Sequence, residues 1–173
     1  NNPDAETKML QLLAAWRKAD LQVAFTRHDS REAKSPLKFS LPTGAQKPGF
    51  EPMTDEIVVE KDVNSGFIGT SLEVQLRRAE ISRLVIVGFF TNFCVETTTR
   101  MSGNLGFDTY LVDDCCATTN RVGPDGIDRE PELVHAMTVG NLHGEFCTAV
   151  QTNDALGLVA SDNVALSRCQ GNE

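Results

Sequence analysis

Positive charge is scarce in this sequence: 16 Lys and Arg stand against 24 Asp and Glu among 173 residues, a formal net charge of -8. That balance argues against nucleic acid or an anionic membrane surface as partner and leaves a small molecule or another protein. No apolar run approaches the roughly 20 residues that span a bilayer; LVIVGFF, among the longest, is the length of one strand. No signal-peptide pattern opens the chain, and a soluble, cytoplasmic protein is expected. The five cysteines are an odd number, and none stands in a CxxC spacing. A zinc ribbon or a disulfide framework is therefore not expected, and free thiols in a reducing compartment are. Histidine is limited to His28, His135 and His143. There is no internal repeat and no low-complexity segment. An initiator methionine is also missing, while Asn2 reads as an N-cap, Pro3 as a first helical position and Asp4 as first-turn acid. The expectation is one domain over residues 1–173, starting partway into a longer natural chain and lacking a strand upstream of residue 1.

What is present alternates. Met9, Leu12, Leu13 and Trp16 recur at helical spacing and predict an amphipathic helix over 3–19, with a short buried strand, LQVAFT, behind it. Pro36, Pro42, Pro48, Pro52, Gly44 and Gly49 punctuate a long loop over 27–55, a length usual for loops with a functional part such as walling a pocket. EIVVEK reads as a strand, and TSLEVQLRRA as a helix opened by a Thr70/Glu73 capping box. RLVIVGFF has the unbroken apolar pattern of a strand covered on both faces. Val95, Thr98, Met101, Ser102 and Leu105 line one helical face, which Gly106 terminates. DTYLVDD is the next strand, Pro131 opens a helix to about His143, and CTAVQT closes the pattern as a last strand. Helices alternating with strands predict an α/β protein, a doubly wound, mainly parallel sheet with helices on both faces. Ligands bind such sheets at the carboxyl ends of the strands.

Cys94 stands at one of those ends, in GFFTNFCVETTTR. A lone cysteine is more often core than catalyst. At the start of a helix, however, unpaired N–H groups and the partial positive charge favour a thiolate. The same N–H groups can hold the oxyanion formed when a thiolate attacks a carbonyl. None of the three histidines has a spacing that marks it as the partner base. Each reads as a surface or structural residue, with His28, beside the long loop, the best placed to line a pocket. Lys61 ends the apolar strand IVVE and brings an ammonium to the same sheet edge; by position alone it is a solvated lysine.

VEKDVNSGFIGTSLEVQL followed by VIVGFFTNFCVETTTRMSGNLGFDTYLVDD resembles the isochorismatase-like cysteine hydrolases, the superfamily of nicotinamidase, N-carbamoylsarcosine amidase and isochorismatase. Its most specific element is the G-x-x-T-x-x-C-V segment from Gly88 to Val95, joined to the strand-end lysine with Phe67 and Thr70 after it. The resemblance implies a three-layer α/β/α fold, Cys94 as nucleophile and Lys61 as the cation of an Asp-Lys-Cys triad. It implies a cis peptide entering Thr91, from Phe90, and an oxyanion hole built from the N–H groups of Thr91 or its neighbours and of Cys94. Phe67, Phe90, Asn92, Phe93 and His28 are the expected substrate contacts, and a homo-oligomer, dimer or tetramer, is the expected assembly.

The resemblance also shows departures. The triad aspartate lies in such proteins on a first strand followed by D-x-Q, and no such segment is present; Asp29 and Asp62 do not match it. Nicotinamidase-like members bind a metal through an Asp-x-His pair and a further histidine. Here only His28-Asp29 stands, so no metal and no cofactor are expected. The expected activity is hydrolysis of a small amide, ureido or related non-peptide C–N bond through a cysteine thioester. The alternatives are vinyl ether hydrolysis of the isochorismatase type, a noncatalytic binding or interaction module of the same fold, and a redox thiol pairing Cys94 with Cys115 or Cys116.

Overall fold

The computed structural model describes residues 1–159. Helix α1, Ala5–Lys18, begins two residues later than its N-cap signal suggests, with Asp4 at the cap position. Asn2 does not cap it. Its backbone turns to φ +46°, and its side-chain amide donates to the carbonyls of Asp113 and Cys116 at 3.1 and 2.7 Å. The chain leaves α1 through Asp20 at φ +57°, which is why strand β1, Ala24–His28, starts three residues into the expected LQVAFT.

β1 pairs in parallel with β2, Ile57–Lys61, in a register that sets His28 opposite Lys61. In β2 the alternation is clean: Ile57, Val59 and Lys61 are buried while Val58 and Glu60 are exposed, the pattern of a strand with one covered face. Helix α2, Leu72–Arg78, covers that face with Leu72 and Leu76, against Phe107. The expected capping box does not form. Ser71 holds the cap position without a side-chain bond. Thr70 Oγ1 instead donates to the Gly66 carbonyl at 2.6 Å and accepts from the Leu72 N–H, and Glu73 pairs with Arg77 one turn on. Thr70 is thus committed to the tight Ser65–Thr70 turn, where Gly66 is needed because a Cβ there would meet Thr26 Cγ2 at 2.9 Å.

Strands β3, Arg83–Phe89, β4, Asp108–Ala117, and β7, Thr148–Val150, form a second parallel group in the order β3-β4-β7. Between them run a single π-helical turn, Thr91–Val95, continuous with helix α3, Glu96–Asn104, and then helix α4, Pro131–Leu142. The stretch after β4 contains a small antiparallel hairpin, β5, Arg121–Val122, with β6, Asp128–Arg129. Its two-residue strands are too short to leave a periodic signal in the sequence.

α1 and a final helix over 152–159 bury Met9, Leu12 and Ala155 against Val112 and Cys115 of β4. The π-turn and α4 bury Val95 and Leu142 against Leu111 and Cys116, side chains of the same strand. Residues adjacent in a strand point to opposite faces, so β4 is covered on both sides and the molecule has the three-layer α/β/α arrangement with a mainly parallel sheet.

The two strand groups are not joined. Among the described residues β1 pairs only with β2, and β3 only with β4. Between β1 and β3 lies a largely apolar cavity of about 420 Å³. Two consecutive runs line it, Gln22–Thr26 from the β1 side and Leu84–Phe89 from β3, together with Met9, Leu12 and Trp16 of α1 and Leu72 and Leu76 of α2. Gln46, Lys47 and Phe50 of the long loop complete the wall. β3, whose sequence reads as covered on both faces, is only partly covered: Val87 and Phe89 are each 36% exposed. Its inner edge faces the slot instead of a neighbouring strand.

Candidate active site

Three carboxyl ends meet at one point. β1 ends in His28, β2 in Lys61, and β3 runs into the π-turn that carries Cys94. Lys61 is 5% exposed, so it is no solvated lysine. Its ammonium donates to the Val63 carbonyl at 3.1 Å and to Cys94 Sγ at 3.3 Å, and meets His28 Nδ1 at 3.2 Å. None of these three partners is a carboxylate. A buried ammonium is costly unless it is paired or hydrogen-bonded, and the Cys94 sulfur is one of the three partners that Lys61 has here. The Cys94 sulfur has a second, longer neighbour in Asn64 Oδ1 at 3.9 Å.

The ring of His28 stays neutral. Its pKa lies below the ordinary histidine value, first because of burial and second because of the Lys61 charge. A neutral Nδ1 can accept the lysine proton. The two carboxylates nearest in sequence are used elsewhere: Asp29 accepts the Phe39 N–H at 3.0 Å, and Asp62 pairs with Arg31 on the surface. His28 Nδ1 thus faces an ammonium, and Asp29 Oδ1 takes a backbone N–H. Among the described residues no group of three or more His, Cys, Asp or Glu side chains could hold a metal ion.

The entrance to the π-turn differs from expectation in one respect. The cis peptide joins Phe89 to Phe90, one bond earlier than Phe90 to Thr91, and Gly88 before it has φ +137°. That φ favours glycine. Thr91 is fully buried, and its Oγ1 lies 2.9 Å from His135 Nδ1. Asn92 Oδ1 accepts the Thr118 hydroxyl at 2.5 Å. The Arg121 guanidinium of the β5–β6 hairpin stacks 4.8 Å from the centre of the Phe93 ring. Phe90 is 37% exposed. Phe67 stacks on Phe107 at 5.9 Å and lines the slot, so packing accounts for much of its position.

The other described thiols contrast with Cys94. Cys115 and Cys116 are fully buried, and burial pushes both pKa values up. Cys147 is raised to about 11 for the same reason. All four described cysteines are free, and Cys94 Sγ contacts Lys61 and Asn64 rather than a second thiol. Cys169 lies outside the described residues.

Sequence reasoning missed two groups near this edge. His135, read as surface or structural without a partner, is buried and bridges Thr91 to Asp113. Asp113 stood only as one letter of a strand. A separation of 22 residues between them carries no local signal.

The Isochorismatase domain model matches residues 3–152. An isochorismatase family protein of Bacillus subtilis, YrdC, is 38% identical over 156 residues, which cover 90% of this chain and 83% of that protein. Ureidoacrylate amidohydrolase RutB of Agrobacterium fabrum is 32% identical over 111 residues, 64% of this chain and 44% of that one. Among solved structures, a hydrolase of the isochorismatase family from Chromobacterium violaceum superposes with a TM-score of 0.88 at 41% identity, covering 93% of this chain and 83% of the other.

Proposed function

The chain belongs to the isochorismatase family of hydrolases, and from that premise we propose that it cleaves a small amide, ureido or related C–N bond through a thioester on Cys94. The observation that carries this reading is the buried Lys61 ammonium 3.3 Å from Cys94 Sγ, at the edge where the ends of β1 and β2 meet the π-turn. The amidohydrolase named among the relatives supports the bond type, since ureidoacrylate offers a C–N bond beside a carbonyl. A thiolate held beside a buried cation also suits carbonyl attack better than vinyl ether hydrolysis, which forms no thioester.

In the proposed sequence the Cys94 thiolate adds to the carbonyl carbon and the carbonyl π electrons move to oxygen. N–H groups of Thr91 or its neighbours and of Cys94 hold that oxyanion. Collapse expels ammonia or an amine, which takes a proton from a carboxylic acid, and leaves an acyl thioester. The carboxylate so formed takes a proton from water, hydroxide adds to the thioester carbonyl, and collapse returns the thiolate. Lys61 keeps the thiolate charged and in place. Asn92, Phe90 and Phe93, with His28 and Phe67, form the surrounding walls.

The carboxylate of this scheme belongs to an aspartate at the end of a strand upstream of residue 1, seated in the slot between β1 and β3. Two observations support that placement. Both inner strand edges and both helical layers line the slot. α1 also starts at the carboxyl edge, where Asn1 Oδ1 accepts the Thr118 N–H at 2.8 Å. A strand preceding α1 in a right-handed β-α-β crossover ends at that edge, level with His28 and Lys61. The test is release of ammonia or amine from a panel of small amides and ureido acids by the full natural chain, with Cys94→Ala as control. Turnover that survives in Cys94→Ala, or vinyl ether cleavage without any amide cleavage, would overturn the reading.

A further inference from the structure

We propose that Asp113, His135 and Thr91 form a hydrogen-bonded relay that positions the turn over residues 90–94, so that His135 acts as a positioning residue for the oxyanion site. The proposal rests on the reading of Cys94 as a nucleophile that attacks carbonyls.

The relay spans three separate elements. Asp113 lies in β4, His135 in α4 and Thr91 at the start of the π-turn. Thr91 is wholly buried and His135 nearly so, so water does not compete for their hydrogen bonds. The protons can be placed by elimination. Asn2 uses its side-chain amide on the carbonyls of Asp113 and Cys116. His135 Nε2 is in hydrogen-bond contact with Asp113 Oδ1. An ionised carboxylate only accepts, so Nε2 carries the proton. With the imidazole neutral, the state the relay requires, Nδ1 is an acceptor and the Thr91 hydroxyl 2.9 Å away donates to it. Asp113 is fixed in turn by Gln151, whose side-chain amide donates to Oδ2 at 2.9 Å. The His135 hydrogen bond holds the Asp113 carboxyl below the usual carboxylate range.

The arrangement has the hydrogen-bond order of a nucleophilic triad, but its hydroxyl is sealed in the core while the sulfur of Cys94 is partly open. Its consequence is therefore geometric. Thr91 follows the Phe89–Phe90 cis bond and leads into Cys94, so anchoring its side chain to α4 and β4 fixes where the N–H groups of the turn point. Misplacement of oxyanion donors raises the barrier to carbonyl addition and leaves ground-state chemistry of the thiolate untouched.

Two reagents separate these effects without knowledge of the natural substrate. p-Nitrophenyl acetate acylates Cys94 through a tetrahedral oxyanion and releases p-nitrophenolate. Iodoacetamide alkylates the same sulfur by direct displacement of iodide and forms no oxyanion. In Thr91→Val the ratio of acylation to alkylation rate is expected to fall roughly tenfold to a hundredfold. Thr91→Ser, which keeps the hydroxyl, is expected to hold the ratio, and His135→Asn, whose amide oxygen can occupy the place of Nδ1, to retain more of it than His135→Leu. Nitrogen-15 chemical shifts of His135 in the unsubstituted protein should show the Nε2–H tautomer. A Thr91→Val ratio within about twofold of the unsubstituted value, or an Nδ1–H tautomer, would overturn the relay. If no amide releases ammonia while the ratio still falls in Thr91→Val, the relay stands and only the amide-hydrolase reading is lost.

Discussion

At Cys94 the chemistry depends on a contrast among thiols. Burial first of all raises Cys115, Cys116 and Cys147, with nearby acidic groups adding to it at Cys115 and Cys116, which makes them poor nucleophiles, whereas Cys94 shares its surroundings with a buried ammonium. Iodoacetamide near neutral pH is expected to modify Cys94 ahead of those three cysteines, read by peptide mass mapping. Lys61→Met should slow that reaction by about tenfold, because the cation that favours the thiolate is gone. Equal labelling of Cys94 and Cys147 would contradict the assignment. His28 gives a second residue-level expectation. Its folded-state pKa is lowered, so the unfolded chain binds that proton more readily. The contribution to stability is whole above about pH 6.5 and is lost as pH falls from there through the folded value. Between about pH 7.5 and about pH 5.5 the thermal midpoint of the unsubstituted protein should drop further than that of His28→Gln. Matching drops would show that the imidazole near Lys61, Asp29 and Asp62 is not linked to folding.

Between elements, α3 lies close against the turn between α4 and β7. A Cβ on Gly103 would meet the Phe146 carbonyl oxygen at 2.7 Å, and backbone cannot yield as a side chain can. Gly103→Ala is therefore expected to destabilise by about 1–3 kcal/mol despite the better helix propensity of alanine, measured by urea unfolding; a neutral or stabilising result would mean the turn shifts freely. Element types were legible wherever the pattern was local. The i, i+3, i+4 repeat of Met9, Leu12, Leu13 and Trp16 gave α1, and the run ending at Lys61 gave β2 with its end in the right place. The Thr70/Glu73 pair shows how a local signal fails. The same hydroxyl had a better use in closing the Ser65–Thr70 turn, and a capping pattern cannot say which partner wins. The cis bond lay one peptide from its expected place, since motif letters fix the segment but not the torsion of each bond within it.

For the whole molecule the decisive feature is the slot between β1 and β3. A strand seated there would pair with both inner edges and cover Val87 and Phe89, now each 36% exposed. The expected outcome is that a chain extended upstream of residue 1 shows slower amide exchange in β1 and β3, and a higher thermal midpoint, than residues 1–173 alone. Unchanged exchange in both strands would remove the strand from the slot and with it the proposed source of the carboxylate. The alternation of periods and the segment from Gly88 to Val95 were enough to specify an α/β protein of the isochorismatase family and to single out Cys94 and Lys61, because each is written within a few consecutive residues. The burial of Lys61, the neutral ring of His28 against it and the bridge from Asp113 through His135 to Thr91 were decided only by tertiary structure. Each depends on which distant segments come to lie side by side, and hydrophobic periodicity specifies a face without naming the neighbour that will cover it.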